Sequence, residues 1–372
     1  MPTPPQPAAA ADSVARPQLG SRTAAFTAVA ITIALTTVAG LTAAIAGQQS
    51  PLRAAMMELL TSYSRSTGLI SSSWWQAAVA MSTLETYAET TGDTSFDHAI
   101  AHTFALQSAG NFENGSDDDT AWWGLAWLQA YQLTRNQAYL SMAETDADYI
   151  HRAWDSTCGG GVWWQRDPRS YKNAITNELF LELTAWLHNS IPGDTKYLGW
   201  AQDEWSWFAR SGMINSANLI NDGLDNNCQN NGQNTWTYNQ GVILAGLAQL
   251  YRATGHRTLL TEAERIANAA IRQLAPGGVL TEPCEGPVCA PGSGNSAQSF
   301  KGIFVTDLKV LAVTARTSRY NAFFRAQVRS IKARDTDSDG WFGMSWAGPP
   351  VHVTAPTEVS GLDALVASVN LP

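Results

Sequence analysis

One phrase recurs along this chain and restricts its fold: an apolar stretch at helical spacing, a short polar turn, then a second, more polar helix. The clearest copies run over 74–93 (WWQAAVAMSTLETYAETTGD), 122–136 (WWGLAWLQAYQLTRN), 177–194 (NELFLELTAWLHNSIPGD) and 239–256 (NQGVILAGLAQLYRATGH), with a weaker fifth over 301–319. Their turns advance by roughly 45 to 65 residues, the length of one helical hairpin plus a connection. In the first helix of each copy apolar residues fall on nearly every face, as with Val242, Ile243, Leu244, Leu247 and Leu250, so these helices belong inside. The segments between, such as 138–154 and 257–273, alternate apolar and charged residues at i, i+3 and i+4 and read as an outer layer. Five or six inner helices ringed by outer ones make an all-α toroid with minor β content. The Gly-, Asn-, Asp- and Pro-rich connections 110–119, 155–170, 220–236 and 275–299 then gather at one end, where a cleft is expected.

The rest of the chain limits the compartment and the partners. Residues 23–47 carry no charge, follow Arg16 and Arg22, and end in Ala44-Ile45-Ala46 before Gly47. This is the pattern of a cleaved signal peptide. The run is also long enough for an uncleaved type II anchor. Either reading sends 48–372 to an oxidising space as one domain, secreted or held through 23–47. Four cysteines fit that space: the Cys284-x4-Cys289 spacing suggests one small loop and leaves Cys158 to pair with Cys228, with a metal site as the alternative. Net charge is −9 with no Lys/Arg cluster, which argues against nucleic acid. A monomer is expected.

The chemistry concentrates just before the second inner helix, in Asn114-Gly115-Ser116-Asp117-Asp118-Asp119-Thr120-Ala121-Trp122-Trp123. One aspartate could simply cap the helix. Two tryptophans beside the acids could instead raise one carboxyl pKa while the helix N-terminus stabilises the other as an anion. That split supplies the protonated acid and the anion that glycosidic cleavage needs, and neighbouring carboxyls at about 5 to 6 Å correspond to a retaining reaction.

The string Asp118-Asp119-x-x-Trp122-Trp123-Gly124-Leu125-Ala126-Trp127 resembles the signature of glycoside hydrolase family 76, the endo-α-1,6-mannanases. Further matching strings are Cys158 to Trp164 (CGGGVWW), Tyr171 to Phe180 (YKNAITNELF), Trp236 to Gly241 (WTYNQG) and Phe300 to Phe304 (FKGIF), in the expected order. The resemblance implies an (α/α)6 fold and a retaining double displacement on α-1,6-linked mannan or mannooligosaccharides, without a metal or other cofactor. By motif position it makes Asp118 the nucleophile and Asp119 the acid/base, although helix-start geometry alone permits either order and Asp117 adds a one-residue ambiguity. Trp122, Trp123, Trp163, Trp164 and Trp236 fall at loop-to-helix junctions, where an indole can stack on a pyranose or pack in the core. Lys172, Asn173, Asn177, Asp222 and Tyr238 are the remaining candidates for sugar contacts, with capping and Asx turns as ordinary alternatives for the Asn and Asp residues.

Other motifs carry less. Asp335 to Gly340 opens like an EF-hand loop, but position twelve is Trp346, not a bidentate Glu. Asn114-Gly115-Ser116 is a glycosylation sequon against the proposed pair, where a glycan would obstruct the cleft. His98 and His102 have Ala99 where a zinc protease motif needs Glu. Competing functions are a transglycosylase on mannan or glycan anchors, a mannan-binding protein whose aspartates no longer act, and another toroid enzyme acting on anionic sugars. The C-terminal GLDALVASVNLP has no spacer and hydrophobic tail for a lipid anchor, which favours the hydrolase, and intact motif acids favour an enzyme.

Overall fold

Helices that are apolar all round can satisfy water nowhere, and in the computed structural model they line a central ring. The structure describes residues 51–285 and 294–372. The leader 1–47 and Cys289, and with them the expected Cys284–Cys289 pairing, lie outside the described residues. The helices are α1 (51–59), α2 (Trp74–Thr91), α3 (Asp97–Gln107), α4 (Asp117–Thr134), α5 (Gln137–His151), α6 (Ala174–Ser190), α7 (Lys196–Phe208), α8 (Thr237–Thr254), α9 (Arg257–Leu274), α10 (Gly294–Thr314), α11 (Asn321–Arg334) and α12 (Ala355–Ala367). The even-numbered helices are the inner ones. Each packs on the next, and α12 packs on α2 to close the ring. This is the (α/α)6 toroid expected from the recurring phrase.

Local sequence sets the boundaries. Gly92 (φ 75°) ends α2 and Gly255 (φ 72°) ends α8, both in the left-handed conformation that halts a helix. Asn136 and Asn173 cap α5 and α6 with their side chains, and Thr354 opens α12 with a capping box. Along α8, Val242 to Leu250 are all buried, whereas α9 buries only the stripe Leu259, Leu260, Ala263, Ile266, Ala267, Ala269 and Ala270. Two glycines of the sequence motifs bring inner helices into close contact: a Cβ on Gly241 would stand 2.7 Å from the Phe304 Cα, and one on Gly302 would stand 2.6 Å from the Ser360 Cα. Among the described residues, strand is confined to the antiparallel hairpin β1 (Gln165–Arg166) and β2 (Arg169–Ser170). The expected disulfide Cys158–Cys228 joins the loops before α6 and α8.

The N-terminal ends of the inner helices and the long connections meet at one end, where Ser116 bridges Gln165, Asn173 bridges Gly223, Gln76 donates to Ser299 and Thr354 donates to Gln298. That end carries Asp117, Asp118 and Asp119.

Candidate active site

The hairpin β1–β2 lies against the start of α4: the Asp117 N–H donates to the Trp164 carbonyl at 2.8 Å, and Ser116 bridges Gln165. This contact sorts the three aspartates. Asp117 is fully buried and paired with Arg166 at 2.6 Å, while the guanidinium sits 3.5 Å from the centre of the Tyr149 ring and also donates to the Tyr149 carbonyl. Burial still outweighs the guanidinium and pushes the Asp117 carboxyl up to about 7. Asp118 and Asp119 are the partly exposed pair. Asp117 is thus engaged within the fold, while Asp118 and Asp119 keep exposed surface.

Asp118 accepts the N–H of Asp119 at 2.9 Å and a hydrogen bond from the Trp164 side chain. Asp119 accepts the Asn114 side-chain amide at 2.7 Å. Asn114 is itself held in place, its Oδ1 taking the Ser116 N–H at 2.7 Å and its carbonyl the Tyr149 hydroxyl at 2.9 Å. Both carboxyls titrate above the ordinary range: burial leads for each, and the Asp119 charge adds to it at Asp118. Two carboxyls so placed resist ionising together, so the pair retains a proton where isolated acids would have lost theirs.

Around them lie several of the expected residues. Asp222 accepts the Tyr171 hydroxyl at 2.5 Å and a bond from the Trp236 side chain, and Asn231 donates to the Tyr171 oxygen at 2.7 Å. Tyr238 stacks on Phe300 with ring centres 3.7 Å apart and feels the charges of Asp222 and Asp118. Trp236 meets Phe300 edge-on, and Trp75 lies between Phe300 and Trp122. Trp75, Trp164, Trp236 and Tyr238 are all partly exposed.

Other expected contacts have structural duties instead. Trp123 is fully buried, stacked with Trp127 and packed on Phe112 and Trp74, which leaves it no face for a sugar. Trp122 is 9% exposed and lines the bore below the pair. The Lys172 ammonium is buried on the carbonyls of Thr157, Gly160 and Gly161 (2.6–2.9 Å) and on the Asp155 carboxylate (3.0 Å), so it braces the 155–161 loop. Asn173 caps α6, and Asn177, fully buried, ties that helix to both polar groups of the Val162 backbone. Trp163 is partly exposed, its indole donating to Asp155 at 2.8 Å with Lys172 over its ring.

Asn114, Trp75 and Tyr171 were not among the expected site residues. Asn114 registers in the sequence only as a sequon. Trp74-Trp75 repeats the Trp122-Trp123 pair one hairpin earlier, and Tyr171 opens one of the motif strings, so both had a visible signal.

A closed ring of six inner helices with a carboxyl pair at its mouth defines the class of α/α-toroid glycosidases. Within it the chain belongs to glycosyl hydrolase family 76, whose model matches residues 47–369. It is 28% identical to the mannan endo-1,6-alpha-mannosidase DCW1 of Saccharomyces cerevisiae, over 77% of this chain and 70% of that protein. It is 29% identical to the Candida albicans DCW1 over 64% of this chain and 58% of that protein. Among solved structures it is similar to an α-1,6-mannanase from Salegentibacter sp., with TM-score 0.77 at 23% identity over 86% of this chain and 98% of that one. It is also similar to Dfg5 from Chaetomium thermophilum in complex with glucosamine, with TM-score 0.72 at 23% identity over 80% of each chain.

Proposed function

We propose that the protein cleaves internal α-1,6-mannosidic bonds of mannan by a retaining double displacement. The observation that carries this is the sorting of the aspartates: Asp117 is spent on Arg166, while Asp118 and Asp119 stay partly exposed as a pair among Trp164, Trp236 and Tyr238. Both carboxyls are raised, Asp118 the more, although the Asp119 N–H, the Trp164 side chain and its own N–H donate to Asp118 while Asn114 donates to Asp119. By its place in the family's motif Asp118 is the nucleophile and Asp119 the acid/base. Its carboxylate attacks the anomeric carbon while the Asp119 carboxylic acid protonates the departing O6 of the next mannose. Asp119, now a carboxylate, takes a proton from water, and that water attacks the same carbon and releases Asp118.

An inactive Salegentibacter variant with two consecutive aspartates changed to asparagine has been solved with α-1,6-mannotriose, which supports both the substrate and the pair. Asp222, held by Tyr171, offers a carboxyl to a sugar hydroxyl, and Trp164, Trp236 and Tyr238 offer aromatic faces. The enzyme acts as a monomer outside the cell, exported through residues 23–47 as a cleaved leader or anchor.

The test is digestion of unbranched α-1,6-mannan, with products followed by proton NMR. Short products first seen in the α configuration are expected, with Asp118→Asn and Asp119→Asn each at least about 10³-fold slower while melting as the parent does. First-formed β products would overturn retention, and full activity in either variant would overturn the assignment of that acid. Because Dfg5 of Chaetomium was solved with an amino sugar, glucosamine and mannobiose are added as acceptors in a second arm. Transfer products in excess of free reducing ends would make the protein a transglycosylase.

A further inference from the structure

The bore of the toroid holds a second space, apart from the carboxyl pair. A cavity of about 390 Å³ is lined by residues of all six inner helices, and the exposed Glu89, Arg252, Val313 and Asn370 mark its mouth at their C-terminal ends. On α4 its wall is Trp122, Leu125 and Gln129; at 1.5 Å per residue it runs from roughly 4.5 Å to roughly 15 Å along the helix past Asp119, towards the C-terminal end. The volume falls within the range of small-molecule sites.

Its lining is built in two parts. Val79, Leu125, Ile303 and Val310 give an apolar wall, with Trp122 and Trp186 adding aromatic rings. Three carboxyls, Glu182 from α6, Asp307 from α10 and Asp363 from α12, line it with 7%, 8% and 5% of their surface exposed. Asp363 accepts the Thr83 hydroxyl at 2.7 Å, but Asp307 Oδ2 has no hydrogen-bond partner among the described residues.

The cations of the lining are committed elsewhere. The Lys309 ammonium donates to the carbonyls of Val369 and Asn370, each at 2.8 Å, and Arg252 donates to the Thr314 hydroxyl at 2.7 Å. Burial and mutual repulsion hold the Asp307 carboxyl well above its ordinary range. Buried acids without a cation are costly to keep ionised, and the C-terminal ends of the inner helices add partial negative charge near the mouth.

We propose that this cavity is a second ligand site, taking a small molecule that carries a primary ammonium group on an apolar body. The ammonium has three donors for the three carboxyls, and the body lies along the aliphatic wall with Trp122 and Trp186, whose faces attract cations. A neutral polyol would leave these acids protonated, whereas a cation among them favours their ionised forms. The site stands independently of the mannan-cleaving reading.

Calorimetric titration of the full protein with 2-phenylethylamine, against its neutral counterpart 2-phenylethanol, tests this. Saturable one-site binding of the amine is expected, with the alcohol at least tenfold weaker. Asp307→Asn and Trp186→Ala should each weaken the amine at least tenfold, and Asp118→Asn should leave it unchanged. Equal binding of amine and alcohol would reduce the cavity to an apolar pocket and overturn the proposal, as would no binding at millimolar amine. Loss of binding in Asp118→Asn would place the amine in the cleft instead. If Asp307→Asn does not fold, Trp186→Ala, which touches none of the carboxyls' hydrogen bonds, decides by itself.

Discussion

Asn114 shows how one side chain sets the chemistry of another. Its amide donates to Asp119 at 2.7 Å, which favours the carboxylate; removing it should raise the Asp119 pKa further. In Asn114→Ala the alkaline limb of the kcat/KM profile, which reports proton loss from the acid, should therefore move to higher pH, and kcat should fall about tenfold as the carboxyl loses its orientation. An unchanged profile would show that Asn114 serves only the turn. The two kinds of tryptophan should separate in the same way. Trp123→Ala empties a fully buried site and should cost about 3–5 kcal/mol of stability in denaturant titration. Trp164→Phe keeps the ring but loses the bond to Asp118, so it should lower kcat with little change in melting temperature.

At the scale of elements, the loop before α6 is fastened from within. The Lys172 ammonium gathers the carbonyls of Thr157, Gly160 and Gly161, while a Cβ on Gly161 (φ 86°) would stand 2.4 Å from the Trp207 ring. The disulfide Cys158–Cys228 ties this loop to the next across 70 residues of sequence. Lys172→Met should cost at least about 2 kcal/mol by orphaning several buried acceptors, read as a lower urea midpoint. A stable Lys172→Met that instead loses kcat/KM on mannan would return Lys172 to the cleft. Replacing both Cys158 and Cys228 by Ala should cost about 2–4 kcal/mol, measured the same way.

The molecule as a whole buries many acids. Asp117, Glu282, Asp335, Glu358 and Asp363 are each pushed up to about 7, with burial the leading cause, and Glu85, Asp146, Glu178 and Glu204 are raised well above their ordinary values. Unfolded, these groups ionise near pH 4; folded, the first five hold their protons to about 7 and the other four also keep theirs above the ordinary range. The folded state therefore binds more protons across that window, and stability must fall as pH rises through it. Ionising these acids brings the chain towards its formal net charge of −9, and the self-repulsion acts in the same direction. Asp155, held below the ordinary range by Trp163 and Lys172, acts oppositely, and its contribution is lost as pH falls below about 4. Thermal melts should show a midpoint several degrees higher at pH 5 than at pH 7.5, and a midpoint that rises with pH would contradict these protonation states.

The sequence by itself determined the toroid, because helices apolar on every face have nowhere to go but inside a ring, and their spacing counts the hairpins. It also located the acids, since a carboxyl run at the start of an apolar helix must sit at the end of the ring where the connections gather. Only the tertiary structure decided which carboxyls remain accessible: Asp117 differs from its neighbours through Arg166, 49 residues away. The same holds for Trp122, Trp123, Lys172, Asn173 and Asn177. Their types suit a sugar as well as a core, and the choice is made by neighbours such as Phe112, Gly160 and Val162, brought together by the closing of the ring.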